Sequence, residues 1–216
     1  RKAIAAAMEK SHREIPAYHL LHRVDVRRAL DHLARLNLER PIQQRLLPMA
    51  LFVRAIALAL AEHPELNGFW VDGAFRPATG VHPGVAIALR GGGLVTPALH
   101  DADRKDLDAI MADLKELTTR ARAGRLRASE LTDPTATITA LGDQGVEAVH
   151  GVIYPPQVAL VGLGKVLDRP WAVDGMLTVR PILTLTLAGD HRATDGHLGG
   201  LFLSHVERLL AAPEKL

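Results

Sequence analysis

The sequence predicts a single α+β domain in which a mixed β-sheet is covered by helices. Strand patterns occur at residues 158–166, a mostly apolar segment, and at residues 183–187, where leucine and threonine alternate. Residues 106–123 instead place apolar side chains at helical spacing, with charged residues opposite. The chain has 216 residues, 48% of them hydrophobic, which is enough for a substantial core. Because no repeat or linker interrupts it, we expect one domain over residues 1–216.

The first third of the chain predicts three helices and one strand. Residues 1–11 are rich in alanine and other helix formers, and residues 18–26 form an apolar-rich strand pattern. Helical spacing returns over residues 27–38. Pro48 suits the first turn of a long helix that ends near Glu62, because its missing N–H is not needed there. This helix is apolar nearly all round, but its apolar run is too short for a bilayer, so we expect it in the core.

Glycine-containing turns divide the next elements. The pairs Asp72-Gly73 and Asp174-Gly175 tolerate the positive φ of a type I′ turn and predict two hairpins. Gly91-Gly92-Gly93 joins two short apolar strands, residues 84–89 and 94–99. The triple glycine lacks the lysine, the hydroxyl residue and the following helix of a phosphate loop. It therefore predicts a flexible hairpin turn.

The helix over residues 106–123 ends beside a basic segment. Gly124 suits a C-terminal cap, and arginines occupy positions 120, 122, 125 and 127. We expect this segment to be a solvated helix end, with contacts to the phosphates of a cofactor as the alternative. A last helix is predicted over residues 197–210.

Composition excludes several classes of protein. Lysine plus arginine (26) exceed aspartate plus glutamate (24) by two, so the charge gives no reason to expect nucleic acid as a partner. Cysteine is absent, which excludes disulfides, acyl-cysteine catalysis and thiolate metal sites. No secretory signal is recognisable, and the first residue, Arg1, suggests a fragment or a processed chain. We expect a cytoplasmic protein that does not enter a membrane.

The most informative stretch is the turn after residues 183–187. Its alternation predicts a half-buried strand that Gly189 ends, and Asp190, His191 and Arg192 follow at once. A histidine at the end of a rigid strand can be aimed at a substrate, which suits a general base. A metal site is the local alternative, since His191 lies near three other candidate ligands, Asp190, Asp195 and His197. Their spacing matches no zinc signature, so we expect no metal.

The segment from Asp190 to Gly196 resembles the D-H-R-x-x-D-G signature of the catalytic domain of dihydrolipoyl acyltransferases, which form the core of 2-oxo-acid dehydrogenase complexes. Chloramphenicol acetyltransferases carry a related H-x-x-x-D-G. The resemblance extends over nearly the whole chain, because further blocks follow the family's order and spacing. These blocks are Arg1-Lys2, Ile15-Pro16, Val24-Asp25-Val26, Leu66-Asn67, Gly84-Val85-Ala86, Gly93-Leu94-Val95, residues 101–105, residues 121–124, residues 137–142 and Pro155-Pro156-Gln157.

The resemblance implies a fold and a set of site residues. The fold would be the two-layer sandwich of chloramphenicol acetyltransferase-like proteins. His191 would be the general base, and Thr139 would donate a hydrogen bond to the oxyanion, where the family segment carries serine. Threonine keeps the hydroxyl but adds a methyl group that restricts χ1. Asp195 would support the turn through an ion pair with Arg1, a role that we favour over orienting the base, and Asp190 would brace the same turn.

The resemblance also implies the reaction and the partners. An acyl group would pass between a dihydrolipoyl group, carried on a separate lipoyl domain, and coenzyme A as a substrate. The residues around Thr139 favour acetyl or branched-chain over succinyl groups. Homotrimers would place His191 of one subunit beside Thr139 of the next, and trimers would build a cubic or icosahedral core of about 24 or 60 chains. Dehydrogenase and dihydrolipoyl dehydrogenase components would bind this core.

Two features limit what the resemblance implies for assembly. The lipoyl and peripheral subunit-binding domains are absent from this chain. Residues 213–216 lack the run of leucines often found where trimers join, which leaves the larger core open.

Two other classes of function remain open from the sequence. A stand-alone trimeric acetyltransferase acting on a small molecule would keep His191 but not use dihydrolipoamide. A non-catalytic core subunit, suggested by threonine at position 139, would assemble without thiol exchange. A serine hydrolase is excluded because no G-x-S-x-G elbow occurs, and a dinucleotide-binding domain because no G-x-G-x-x-G follows a strand.

Overall fold

A six-stranded mixed β-sheet forms the centre of the computed structural model, which describes residues 2–89 and 91–216. The α-helices are α1 Lys2–Glu14, α2 Arg27–Leu38, α3 Pro48–Glu62, α4 Leu107–Arg122, α5 Ala128–Thr132 and α6 Gly196–Ala211. The strands are β1 Ala17–Asp25, β2 Gly68–Val71, β3 Ala74–Pro77, β4 Pro83–Val85, β5 Ile87–Ala88, β6 Leu94–Val95, β7 Ala136–Ala140, β8 Ala159–Leu163, β9 Leu167–Val173 and β10 Met176–Asp190.

The sheet combines parallel and antiparallel pairs, as the sequence predicts. Its strand order is β1-β10-β8-β7-β4, and β9 pairs with the first half of β10. Strand β10 is antiparallel to β1, β8 and β9, whereas β7 is parallel to both β4 and β8. Strands β2–β3 and β5–β6 form separate two-stranded sheets. The long strand β10 therefore links every antiparallel pair of the main sheet and leads directly to the turn that carries His191.

Strand β10 differs from the prediction in burial and in length. We expected a half-buried strand that ends at Gly189, but residues 181–190 are buried on both faces and the strand includes Gly189 and Asp190. The leucines face the helices, while Thr184 and Thr186 face the irregular segment after β7. The Thr186 hydroxyl donates a hydrogen bond to the carbonyl of Val149 in that segment. The alternating polarity predicted an exposed face. The prediction is wrong because threonine can satisfy the hydrogen bonds of its hydroxyl inside the protein.

Helix α3 lies in the core, as expected. Among the described residues, one helical segment, Ile42–Glu62, is long and apolar enough to cross a membrane by length and composition alone. Nine apolar residues of α3 are nevertheless buried, and the helix packs against α4 and α6. Burial on several sides explains why α3 is apolar nearly all round.

The turns follow the sequence closely, while one predicted strand is shorter than expected. Asp72 and Asp174 have φ values of 52° and 51°, and each precedes a glycine with positive φ, as in type I′ turns. The triple glycine lies between β5 and β6 and leads into a strand, as predicted, although Arg90 lies outside the described residues. The strand predicted over residues 94–99 is limited to Leu94–Val95, because Pro97 cannot donate a ladder hydrogen bond.

Candidate active site

His191 follows β10 directly, at the edge of the sheet beside β1. Its backbone N–H donates to the carbonyl of Pro16 at 3.0 Å, which holds the residue next to the start of β1. The side chain is exposed. The rings of His191 and Tyr18 meet edge to face, with centroids 5.3 Å apart and an interplanar angle of 72°. His191 thus has a fixed backbone, an aromatic neighbour and access to solvent.

A buried carboxylate braces the turn, as we expected for Asp190. Its side chain is fully buried and accepts hydrogen bonds from Arg192, at 3.0 Å from the backbone N–H, 2.9 Å from Nε and 2.7 Å from Nη2. The same carboxylate raises the pKa of the Arg192 guanidinium, chiefly through these hydrogen bonds. The guanidinium also stacks over the ring of Trp70 at 4.9 Å. These contacts fix the backbone on both sides of His191.

The rest of the turn is closed by backbone and hydroxyl contacts. The N–H groups of Ala193 and Thr194 both lie 3.0 Å from the carbonyl oxygen of Asp190, to which they donate. Thr194 is buried, and its hydroxyl lies 3.3 Å from the hydroxyl of Tyr18. Tyr18 and Trp70 could not be selected from the sequence, because they lie far from the turn along the chain. Thr194 lies within the turn, but no local pattern marks its hydroxyl as a contact.

Asp195 begins helix α6 and is exposed. Its Oδ1 accepts a hydrogen bond from the N–H of Leu198 at 2.9 Å, so Asp195 is the N-cap of the helix. This hydrogen bond is the main reason why the pKa of the carboxyl lies below its ordinary value. The family resemblance also implies an ion pair of this carboxylate that supports the turn. The partner chosen for it, Arg1, lies outside the described residues, so the ion pair stays a prediction.

Thr139 lies near the end of β7 and is half-buried. Residues 135, 137 and 139 share one face of the chain because side chains alternate along a strand. The Thr135 hydroxyl donates to Asn67 and the Thr137 hydroxyl to Gln157, each at 2.6 Å. No hydrogen bond of the Thr139 hydroxyl is formed among residues 2–89 and 91–216. Thr139 therefore offers a donor that the described residues of the same chain do not use.

Within one chain, Thr139 and His191 are far apart. Thr139 is aligned with Gly162 of β8, and Gly162 with Thr186 of β10. Thr186 precedes His191 by five positions, about 16 Å along the strand, and two strand spacings add about 10 Å across the sheet. Since a thioester carbonyl spans only a few ångströms, these two side chains of a single chain cannot act on the same carbonyl.

The other candidate ligands and cations have structural surroundings. The described part of the chain contains no group of three histidine, aspartate or glutamate side chains placed to hold a metal ion, so His191, Asp195 and His197 do not form one. Four arginines lie in the last turn of α4 and just beyond it, and of these Arg120 pairs with Glu116 at 3.2 Å and with the buried Glu130. The remaining three, at positions 122, 125 and 127, are exposed, as expected for a solvated helix end.

Comparison with solved structures defines the class of fold. Chloramphenicol acetyltransferase aligns with a TM-score of 0.60 over 95% of this chain and 94% of its own, at 15% identity, which is a likeness of fold. The sheet and its covering helices therefore have the chloramphenicol acetyltransferase-like architecture, as expected.

A family model identifies the chain more closely. The model described as 2-oxoacid dehydrogenases acyltransferase (catalytic domain) matches residues 1–216, and the chain belongs to this family. The dihydrolipoyllysine-residue acetyltransferase component of the pyruvate dehydrogenase complex of Staphylococcus epidermidis is 34% identical over 220 aligned residues, 100% of this chain and 50% of that protein. The chain thus spans about half the length of the curated relatives that it matches.

Solved structures of the same family align almost completely. A probable dihydrolipoamide acetyltransferase from Listeria monocytogenes has a TM-score of 0.92 and 31% identity, over 98% of this chain and 91% of its own. The Azotobacter vinelandii dihydrolipoamide acetyltransferase and the cubic core of a pyruvate dehydrogenase complex each have a TM-score of 0.90 and 26% identity, over 97% and 87%. In the Azotobacter protein, three residues have been investigated for a role in the catalytic mechanism. They are a serine, a histidine and an asparagine that follows the histidine by four positions.

Proposed function

We propose that this chain transfers an acetyl group between a dihydrolipoyl group and coenzyme A in a pyruvate dehydrogenase complex. The observation that carries the proposal is the braced turn at the end of β10, which presents His191 to solvent. Membership of the acyltransferase family and the names of the relatives support the reaction. The relatives are acetyltransferases, so an acetyl group is preferred, and a branched-chain acyl group gains no support from them.

His191 acts as the general base in this proposal. Its imidazole accepts the proton of the coenzyme A thiol, whose pKa is near the value of about 8.5 for a cysteine-like thiol. The thiolate sulfur then forms a bond to the carbonyl carbon of the S-acetyldihydrolipoyl group, which gives a tetrahedral oxyanion. When the oxyanion collapses, the bond to the dihydrolipoyl sulfur breaks, and the imidazolium returns its proton to that sulfur. The products are acetyl-coenzyme A and a free dihydrolipoyl group.

Thr139 of a neighbouring subunit stabilises the oxyanion. Its hydroxyl has no hydrogen bond in the described part of its own chain, and it lies too far from His191 of that chain to share a carbonyl. Both facts support a site that is completed by a second copy, as the family resemblance implies. In the Azotobacter relative, a serine and a histidine are investigated in the catalytic mechanism, which suits the roles proposed for Thr139 and His191. The asparagine investigated there follows its histidine by four positions, the same spacing as from His191 to Asp195.

The proposed partners follow from the same relatives. One solved relative forms the cubic core of a pyruvate dehydrogenase multienzyme complex. We therefore propose that this chain forms homotrimers that build a larger core in the cytoplasm. A lipoyl domain would deliver the acyl group, and dehydrogenase and dihydrolipoyl dehydrogenase components would attach to the core. The size of the core stays a prediction.

Thioester exchange tests the proposed reaction. The purified protein is mixed with dihydrolipoamide and acetyl-, isobutyryl- or succinyl-coenzyme A, and loss of each donor is followed. We expect exchange with acetyl-coenzyme A at the highest kcat/KM. A preference for isobutyryl-coenzyme A would show that the chain transfers branched-chain acyl groups instead. Absence of exchange with every donor would contradict the proposal, and light scattering would then show whether the chain is a non-catalytic subunit of an assembled core.

A stand-alone acetyltransferase would fail in the same assay for another reason. It would transfer the acetyl group of acetyl-coenzyme A only when a small hydroxyl or amine acceptor replaces dihydrolipoamide. A parallel series with such acceptors separates this function from the proposed one.

A further inference from the structure

We infer that Tyr18 is a positioning residue for His191: its ring fixes the orientation of the imidazole that takes the thiol proton. The inference rests on the proposed function, because it assigns Tyr18 a role through the proposed base. Tyr18 itself needs no contact with either substrate.

The first support is the contact between the two rings. Strand β1 places Tyr18 directly opposite Gly189, two residues before His191. The rings then meet edge to face with centroids 5.3 Å apart. Edge-to-face pairs at this distance are favourable, and the contact restricts the torsion angles of an otherwise exposed histidine.

The second support is the space that the chain provides for the tyrosine. A Cβ atom at Gly189 would overlap the phenol ring, and one at Gly199 of α6 would lie 2.9 Å from its hydroxyl oxygen. Glycine at these two positions lets the ring lie between β10 and the start of α6. Tyr18 therefore has little freedom to move away from His191.

The hydroxyl fastens the ring to the same turn. It lies 3.3 Å from the hydroxyl of Thr194, which is buried three residues after His191. Burial is the main cause that raises the pKa of Tyr18, so the phenol stays protonated over the working range of the base. Because the contact is long, we assign the larger part of the effect to the ring.

Kinetics of three variants test the role of the ring. Tyr18→Leu removes the aromatic contact, and Tyr18→Phe keeps it while removing the hydroxyl. His19→Leu is the matched control, because His19 follows on the same strand and forms its own edge-to-face pair, with His150, at 6.2 Å. We expect Tyr18→Leu to lower kcat for thioester exchange about 10- to 100-fold at unchanged KM, the size that misplacement of a reacting group produces. Tyr18→Phe and His19→Leu should stay close to the unmodified protein.

A crystal structure of Tyr18→Leu gives a readout that does not depend on activity. We expect the imidazole of His191 to occupy a new rotamer or several rotamers while the backbone of the turn is unchanged. An imidazole that keeps its single orientation would overturn the inference, and so would an unchanged kcat or a Tyr18→Phe variant as impaired as Tyr18→Leu. If the unmodified protein exchanges no acyl group, the proposed function fails, and the crystal structure still decides whether Tyr18 orients His191.

Discussion

At the scale of single residues, the candidate site depends on groups that hold its histidine in place. Asp190 is fully buried, and its charge is compensated by Arg192 two residues later. A buried carboxylate that loses its partner is costly, because neither water nor another cation replaces the hydrogen bonds. The brace therefore ties stability of the fold to the geometry of His191.

Removing the cation of this brace should destabilise the protein. We expect Arg192→Gln to lower the free energy of unfolding by about 2 to 3 kcal/mol, below the range for fully buried pairs because the arginine is partly exposed. Arg28→Gln is a suitable control. Arg28 meets Glu214 at 3.9 Å with both side chains more than half exposed, and such a pair contributes at most about 1 kcal/mol. Equal losses of stability in urea unfolding would show that Asp190 does not depend on Arg192.

The hydroxyl of Thr139 can be tested without changing its shape. We expect Thr139→Val to lower kcat by about 100- to 1,000-fold, the usual effect of losing one oxyanion donor, while Thr139→Ser remains active. Thr178→Val, at a partly exposed position on the hairpin strand β10, controls for loss of a strand hydroxyl. Steady-state kinetics of thioester exchange measure all three. A Thr139→Val variant with unchanged kcat would remove Thr139 from the mechanism.

Some of these residues could be selected from the sequence and others could not. Asp190 and His191 are adjacent in the sequence at the end of a strand, so their local pattern is visible. Tyr18 and Trp70 reach the same turn only after β1 and the β2–β3 hairpin have packed against it. Contacts of that kind depend on the register of the sheet, which a single sequence does not specify.

At the scale of elements, helices α3 and α6 meet at a pair of histidines. His63 lies just beyond the end of α3. The centroid of its ring is 6.0 Å from that of Phe202 and 5.6 Å from that of His205, both on α6. The pKa of His63 is lowered, chiefly by burial and secondly by the charge of the nearby His205. The folded protein therefore binds a proton at His63 less readily than the unfolded chain.

This difference predicts a pH dependence of stability. The unfolded chain takes up the proton near the ordinary histidine pKa of about 6.5, whereas the folded protein resists it to lower pH. The contribution of neutral His63 is therefore fully present above that value and is lost as the pH falls. We expect the drop in unfolding free energy between pH 7.5 and pH 5.5 to be smaller in His63→Gln. His12→Gln, an exposed histidine on α1, is the control, and urea titrations at one protein concentration measure each.

A pH dependence that is the same in His63→Gln and the unmodified protein would contradict this assignment. A reduced dependence in the His12→Gln control would also contradict it, because it would locate the effect elsewhere.

Secondary structure was largely predictable because most elements carry their own signals. The cap at Gly124, the Asp-Gly turns and the apolar pattern of α4 are local features, and each appears where the sequence indicates. Strand β10 was misjudged because its threonines satisfy their hydroxyls against a covering segment. Its neighbours, and not its own pattern, determine that both faces are buried.

At the scale of the whole molecule, the proposed mechanism requires more than one chain. The register of the sheet separates Thr139 and His191 within a chain, whereas the proposed mechanism places both at one carbonyl. The sequence alone could suggest both residues through a family resemblance, but not their distance. That distance follows from pairings of strands that are remote along the chain.

Mixed oligomers test the division of the site between subunits. Chains with His191→Gln and chains with Thr139→Val should each be nearly inactive alone. After joint unfolding and reassembly in equal amounts, about one quarter of the interfaces would combine an intact His191 with an intact Thr139. We expect the mixture to recover about one quarter of the kcat of the unmodified protein. Reassembled mixtures that stay as inactive as the separate variants, although they contain both chains, would place the whole site in one chain.

The central claim is that His191 removes the proton of the incoming thiol, and replacing its imidazole tests that claim most directly. His191→Gln keeps a polar side chain of similar size but cannot act as a base near neutral pH. We expect kcat for exchange between acetyl-coenzyme A and dihydrolipoamide to fall by about 100- to 10,000-fold, the usual contribution of a general base, with folding and assembly unchanged. Undiminished exchange by a folded and assembled His191→Gln protein would contradict the claim.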